Sequence, residues 1–349
     1  MLVDVARPAA ETAPLSSKLR FFLSLALAAV LLTLLVLWGD LDRATIEETW
    51  RLLTFEVYAT ATAIHVALYF LRGVRFRLLV PESERPALVP VLAVSAAHNL
   101  AAFVLPAKTG EASLVLYLKK VCGVSGVSGL AALLVSRILD LAVLSGSVGV
   151  ACLLAEPLED SGATRWMRPL GGLLLLGSVA FFGLATRGDR LVAVYRAFAR
   201  WTGFERTRLG EKFGARAVEV GDALRGAGTR WLSGALVSLP MWVLAYLFYA
   251  VLARGFGLPE AVTLAEAAFG SGLAMVANLL PVNGLAGFGT QEAGWVVGFH
   301  VLGVPRDLAL STGLSAHVVQ LFNIAVLGLA GHVVMGLLRR DEADARASS

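Results

Sequence analysis

The chain has 349 residues, of which 57% are hydrophobic and only 16% charged, with a formal net charge of +4. Soluble domains carry about 25% charged residues, so this composition excludes a soluble enzyme, a disulfide-stapled secreted scaffold and a disordered protein. The two cysteines, Cys122 and Cys152, have neither CxxC nor metal-type spacing, so no disulfide framework or metal site is expected and both read as apolar packing.

In chain order, residues 1–17 read as a disordered cytoplasmic N-terminus. Six charge-poor runs then follow as expected crossings, at 21–38, 55–71, 124–155, 169–186, 231–253 and 308–338. The first follows Lys18 and Arg20 but lacks a small-residue cleavage site, so it reads as a retained helix and not a signal peptide. Two further regions, 87–119 and 260–303, hold apolar pieces broken by proline, glycine and charge.

The loops assign the sides. Arg72, Arg75 and Arg77 end the second run, Lys119 and Lys120 precede the third, and Arg339 and Arg340 follow the last. Asp40, Asp42, Glu47 and Glu48 follow the first run, and Glu156, Glu159 and Asp160 the third. Basic residues mark the cytoplasmic side, which places both termini, including the tail 339–349, inside a cytoplasmic (inner) membrane. Segment 187–230 carries ten Lys/Arg against five Asp/Glu, with Tyr195, Phe198, Trp201 and Phe213 interspersed. It reads as one or two basic amphipathic helices on an anionic leaflet. Nucleic-acid binding would need a folded basic domain and is not expected.

The two broken regions share a pattern: Asn99, then Leu105-Pro106, then Gly110-Glu111; and Asn278, then Leu280-Pro281, then a glycine run ending in Gln291-Glu292. Each precedes a long run with polar groups inside it, Arg137 and Asp140 in one, His317, Gln320 and Asn323 in the other. With the sides above, the first break is entered from the cytoplasm and the second from outside. The halves 18–155 and 165–338 then form an inverted-topology repeat, an arrangement of transporters with a site near the midplane. Pro106, Gly110, Pro281, Gly284, Gly287 and Gly289 are helix breakers, and irregular backbone at membrane depth is tolerated only against protein or a wet cavity. The expected fold is an all-α polytopic transmembrane bundle with an inverted repeat and two re-entrant helical hairpins. The plainer alternative is that each broken region makes two short full crossings.

Charge at membrane depth costs roughly 2.5–3.5 kcal/mol per group, so the charged residues there need a partner or a purpose. Arg137 and Asp140, three apart, share a helix face and can pair, either structurally or within a site. Glu111 and Glu292 can cap helix starts, contact substrate or carry protons. Arg72 and Arg75 are either snorkelling anchors or phosphate grips. Lys108 lies just past Pro106. Asn99, Asn278 and Asn283 satisfy broken backbone or contact a ligand, and Gln291 and Gln320 complete the candidate translocation set. Glu266 reads as interfacial, and His65 and His332 as packed.

The arrangement resembles the transmembrane region of lysylphosphatidylglycerol synthases and the stand-alone flippase-like proteins related to it. The resemblance is carried by Leu71-Arg72-Gly73-Val74-Arg75, by Leu105-Pro106-Ala107-Lys108-Thr109-Gly110-Glu111, by Arg137 with Asp140, and by Leu280-Pro281-Val282-Asn283-Gly284 with Gly287-Phe288-Gly289-Thr290-Gln291-Glu292. It implies a lipid-handling domain of a bacterial or archaeal cytoplasmic membrane, with re-entrant helices in two related halves. The soluble aminoacyl-transferase domain of the synthases is not found in this sequence, so the expected function is not that of a classical enzyme.

The leading expectation is a flippase for a phospholipid or lipid-linked headgroup, anionic or polyprenyl-linked. In it Arg72, Arg75, Lys108 and Arg137 neutralise phosphate, while Glu111, Asp140 and Glu292 hold the site. A small-solute or ion secondary transporter, or an accessory subunit of a lipid-modifying or glycosyl-transfer enzyme, is the alternative. An intramembrane enzyme is disfavoured by the lack of a nucleotide loop or HExxH motif, and Ser315 and His317, two apart, fall on different helix faces. No cofactor is expected; the partners are membrane lipids, with a separately encoded lipid-modifying enzyme and a homo-oligomer as protein partners.

Overall fold

The computed structural model describes residues 17–38, 42–158, 162, 164–279 and 285–347, and every regular element among them is helical. In order these are α1 (Ser17–Trp38), α2 (Arg43–Arg51), α3 (Phe55–Leu79), α4 (Leu88–Val104), α5 (Ala112–Cys122), α6 (Gly126–Leu154), α7 (Met167–Ala185), α8 (Gly188–Trp201), α9 (Arg208–Arg225), α10 (Arg230–Gly255), α11 (Leu264–Leu279), α12 (Thr290–Val301) and α13 (Arg306–Ala347). Side-chain oxygens of Asp42, Thr54, Ser125 and Thr207 accept the free N–H groups that open α2, α3, α6 and α9. Helices α3, α6, α7, α10 and α13 are long and apolar enough to cross a bilayer, and α1 coincides with the first expected crossing.

Two boundaries differ from the hydropathy reading. Helix α3 does not end at 71 but runs to Leu79, so Arg72 and Arg75 lie within it. Arginine is a good helix former, and a buried partner for Arg75 removes the need for the chain to leave the membrane there. Helix α13 continues through the tail to Ala347, because Asp341-Glu342-Ala343-Asp344-Ala345-Arg346-Ala347 is rich in helix formers. The N-terminal segment 1–16 and the breakers Pro281 and Gly284, with Asn283, lie outside the described residues. The basic segment forms α8 and α9, packed on each other, with Phe198, Trp201 and Phe213 exposed.

Both broken regions are helix pairs. A 3-10 turn, Pro106–Glu111, joins α4 to α5, and a second, Leu285–Gly287, precedes α12. With 11 and 12 residues, α5 and α12 are about 17 and 18 Å long. Neither spans a hydrocarbon layer of about 30 Å. Gly110 fits against the backbone of Ala101 where a side chain would collide with it, which lets the start of α5 fold back onto α4. In the second pair a Cβ on Gly298 would lie 2.7 Å from the Cα of Gly270, so α11 and α12 meet backbone to backbone.

The packing has a matched pattern. Replacing α3, α4, α5 and α6 by α10, α11, α12 and α13 turns α3–α4 into α10–α11, α4–α5 into α11–α12 and α5–α6 into α12–α13. The crossed contact α4–α13 becomes α11–α6, and the extensive α3–α10 contact maps onto itself. One apolar core surrounds Tyr249, Phe256, Trp295 and Phe299, and a second surrounds Phe76, Leu114, Leu139 and Trp231. The polar clusters described next lie at the two helix breaks.

Candidate functional site

At the first break, α3, α4, α5, α6 and α10 bring together a chain of charges. Arg75 is 1% exposed and grips Asp140 with both terminal nitrogens, at 2.5 and 3.1 Å, and donates to Ser238 Oγ at 3.1 Å. Asp140 also accepts from Arg137 Nη1 at 3.2 Å and from Trp242 Nε1 at 3.3 Å. Arg137 turns its other edge to Glu111, with Nε at 3.0 Å from Oε2 and Nη2 closer still. Bidentate guanidinium–carboxylate pairs are the strongest geometry available to these groups. The far end of the chain is open, with the Arg137 and Glu111 side chains 41% and 29% exposed.

Arg72 lies one turn before Arg75 on α3. It donates to the Asn99 side-chain oxygen, and the Asn99 amide donates to the Tyr69 hydroxyl. Both partners are neutral. His98, beside Asn99, shares a hydrogen bond with Ser113 at 2.9 Å and lies 3.9 Å from Glu111. Among the described side chains, three guanidiniums therefore face two carboxylates. The side chain of Lys108 lies outside what is described.

At the second break the polar groups are mostly uncharged. The Asn278 amide donates to Gln291 Oε1 at 2.6 Å, and the Gln291 amide donates to Gln320 Oε1 at 2.9 Å. Glu292 and His317 are both fully buried and meet at 2.6 Å. Glu292 Oε2 accepts the Gly289 N–H at 2.7 Å, so this carboxylate closes the start of α12. Gly287 and Gly289 both have left-handed φ, 85° and 80°, which glycine adopts at little cost.

Several expectations change in this light. Glu111 makes no cap at α5 and instead pairs with Arg137. Asp140 does contact Arg137, but Arg75 is its bidentate partner. Arg75 is not a snorkelling anchor, since it is buried within the bundle. Glu266 is 2% exposed and accepts the N–H groups of Glu156 and Thr263, which makes it a buried clamp on the loops at the start of α11. Ser238, Trp242 and His98 join the clusters without a sequence signal of their own, whereas His317 is among the polar groups noted inside the last run. Tyr69 joins them too, and sits three residues before Arg72, a same-face spacing that the sequence does carry.

Beside the first cluster an apolar groove of about 770 Å³ opens between α6, α7, α10 and α11, lined by Leu139, Val143, Leu175, Val179, Leu239 and Val243. Leu139 adjoins Asp140, and Val243 adjoins Trp242. No group of metal-ligating side chains with suitable placement occurs among the described residues.

The family model described as the lysylphosphatidylglycerol synthase TM region matches residues 21–328. Neither a curated protein nor a solved structure matches the chain.

Proposed function

The chain belongs to the lysylphosphatidylglycerol synthase transmembrane-region family, and from that premise we propose that it carries the headgroup of a phospholipid or lipid-linked intermediate across the cytoplasmic membrane. The observation behind this reading is the charge balance at the first break, where among the described side chains three guanidiniums face two carboxylates and Arg72 is held by neutral Asn99. Such a set is short of one negative charge, and a phosphate supplies it, with two of its oxygens matching the paired N–H donors of a planar guanidinium. The partial exposure of Arg137 and Glu111 gives the headgroup a way in. The apolar groove sharing α6 and α10 with the cluster offers the lipid tails a place beside it.

In this reading α4–α5 and α11–α12 are re-entrant hairpins of an inverted-topology repeat, entering from opposite faces. The matched packing and the shortness of α5 and α12 support that arrangement. Both termini are cytoplasmic, and α8 and α9 rest on the inner leaflet. In this reading the described residues move the lipid and make no bond in it.

The test is reconstitution of the purified protein into vesicles holding a headgroup-labelled phospholipid, with the labelled fraction in each leaflet followed over time. A second arm offers the same headgroup on a water-soluble, tail-free backbone. Accelerated exchange of the lipid alone is expected. Background exchange of the lipid, or transport of the soluble compound alone, would sink the reading.

A further inference from the structure

The two breaks are built alike in one respect that matters chemically. In each, the glutamate at the break pairs with a cationic-type side chain on the next long helix, Glu111 with Arg137 and Glu292 with His317, 26 and 25 residues apart. Arginine holds its charge at every physiological pH, whereas histidine gives its proton up near neutrality. The second break thus carries the releasable version of the contact that the first makes permanently.

The contacts of His317 set how many protons the arrangement needs. Nδ1 lies 2.6 Å from Glu292 Oε1, and Nε2 lies 3.1 Å from the Ala286 carbonyl oxygen. The carbonyl can only accept, and so can an ionised carboxylate. A neutral imidazole has one N–H and cannot donate to both. The arrangement therefore needs one proton more than neutral histidine and ionised glutamate possess, as either imidazolium with carboxylate or imidazole with carboxylic acid.

When that proton leaves, one of the two bonds must be lost. Either the Nδ1 lone pair confronts Oε1, or the imidazole turns its remaining N–H to Glu292 and lets Ala286 go. Ala286 is the one non-glycine residue with left-handed φ, 53°, among the described residues. L-residues adopt that conformation reluctantly, so the turn depends on such outside ties.

Tyr249 of α10 lies within electrostatic reach of both Glu292 and Arg72. Phe288 stacks on the imidazole at 4.6 Å between ring centres, α1 brings Leu31 against Gly289, and Gln291 and Gln320 are neutral. From α4, which also touches the turn, the one titratable residue is His98, and it faces Ser113 and Glu111. Among the described residues no lysine or arginine lies within ion-pair distance of Glu292 or His317.

The geometry points to a proton-binding site formed by Glu292 and His317, whose occupancy latches the turn 285–289 to α13 and whose release frees it. This goes beyond the proposed transport and does not depend on what is carried.

The test uses the full chain in lipid nanodiscs, with ¹⁵N-histidine spectra and carboxyl infrared bands recorded from about pH 5 to about pH 9, the range in which histidine titrates. A spin label at Leu285→Cys reports turn mobility. The expected result is one shared proton on the pair at low pH, lost on alkalinisation together with a rise in turn mobility. Glu292→Gln supplies an amide N–H where the proton sat, so its turn should stay latched at every pH. His317→Ala should leave the turn mobile at every pH. A neutral His317 beside an ionised Glu292 at about pH 5 would overturn the proposal, as would a titration that leaves turn mobility unchanged. The wild-type spectra decide the first point even if a variant fails to fold.

Discussion

Replacing Asp140 by alanine should be the most damaging single change in the first cluster, and the bonds indicate how damaging. The substitution removes an acceptor that takes four hydrogen bonds, two from Arg75 at 2.5 and 3.1 Å, one from Arg137 and one from Trp242. Arg75 is 1% exposed, its Nε already lacks a partner, and the Ser238 hydroxyl would be left to accept from it. Leaving a buried charge unpaired costs about 3–5 kcal/mol. Arg75→Ala should cost less, because Asp140 keeps Arg137 and Trp242. Removing both charges together, as Arg75→Ala with Asp140→Ala, should cost less than the two single losses combined, with a coupling of about 1–3 kcal/mol. Reversible unfolding in mixed micelles, applied to the two single variants and the double, gives these differences directly. If Asp140→Ala lies within about 0.5 kcal/mol of wild type, or if the losses simply add, the cluster is not the buried network described here.

Three further outcomes follow from particular contacts. Glu84 accepts from the Ser125 N–H at 2.6 Å and the Ser128 hydroxyl at 2.8 Å, and the Ser125 N–H above all holds its carboxyl below the ordinary value. A lowered folded value means its stabilisation is complete above the ordinary carboxylate range and is lost as pH falls through the folded value. Hydrogen exchange at 125–128 should therefore keep its protection from about pH 7 to about pH 5 and lose it below about pH 4, while Glu84→Gln shows no such step; loss already at neutral pH would contradict this. Gly298→Leu places a side chain into the backbone of Gly270 and should cost at least about 1–3 kcal/mol of thermal stability, the usual penalty of overpacking. Arg72→Ala should weaken binding of a phosphate headgroup about ten- to a hundredfold in nanodisc titrations, the loss of one charge-assisted bond, whereas Arg77→Ala, whose Nε serves the Pro86 carbonyl, should leave it unchanged.

Hydropathy made the crossings legible because apolar length alone decides whether a helix can span a bilayer. It failed at Arg72 and Arg75, where a run of charge ends the apolar pattern but not the helix. What keeps α3 going is Asp140, 65 residues further along the chain, and no local pattern reports a partner that distant. The breaks were legible for a different reason, since proline and glycine act on the backbone where they stand. Glu292 as a cap follows from spacing to Gly289, but its bond to His317 comes from the packing of α12 on α13. Likewise the Arg137–Asp140 contact is a helix-face spacing, whereas Glu111 meets Arg137 only because α5 lies against α6. Side chains three or four apart on one helix were readable, and contacts between helices were not.

In the proposed transport a lipid headgroup passes the Arg72–Arg137 cluster, and photo-crosslinking would record that passage. A phospholipid carrying a photoreactive group on its headgroup would be activated in vesicles during exchange and the labelled peptides mapped. Label is expected on the segments around Arg72, Asn99, Glu111 and Arg137, and is lost when excess unlabelled anionic lipid is added. Label confined to exposed apolar positions away from the groove, such as Leu173 and Leu176 of α7, with none at the cluster, would refute that passage.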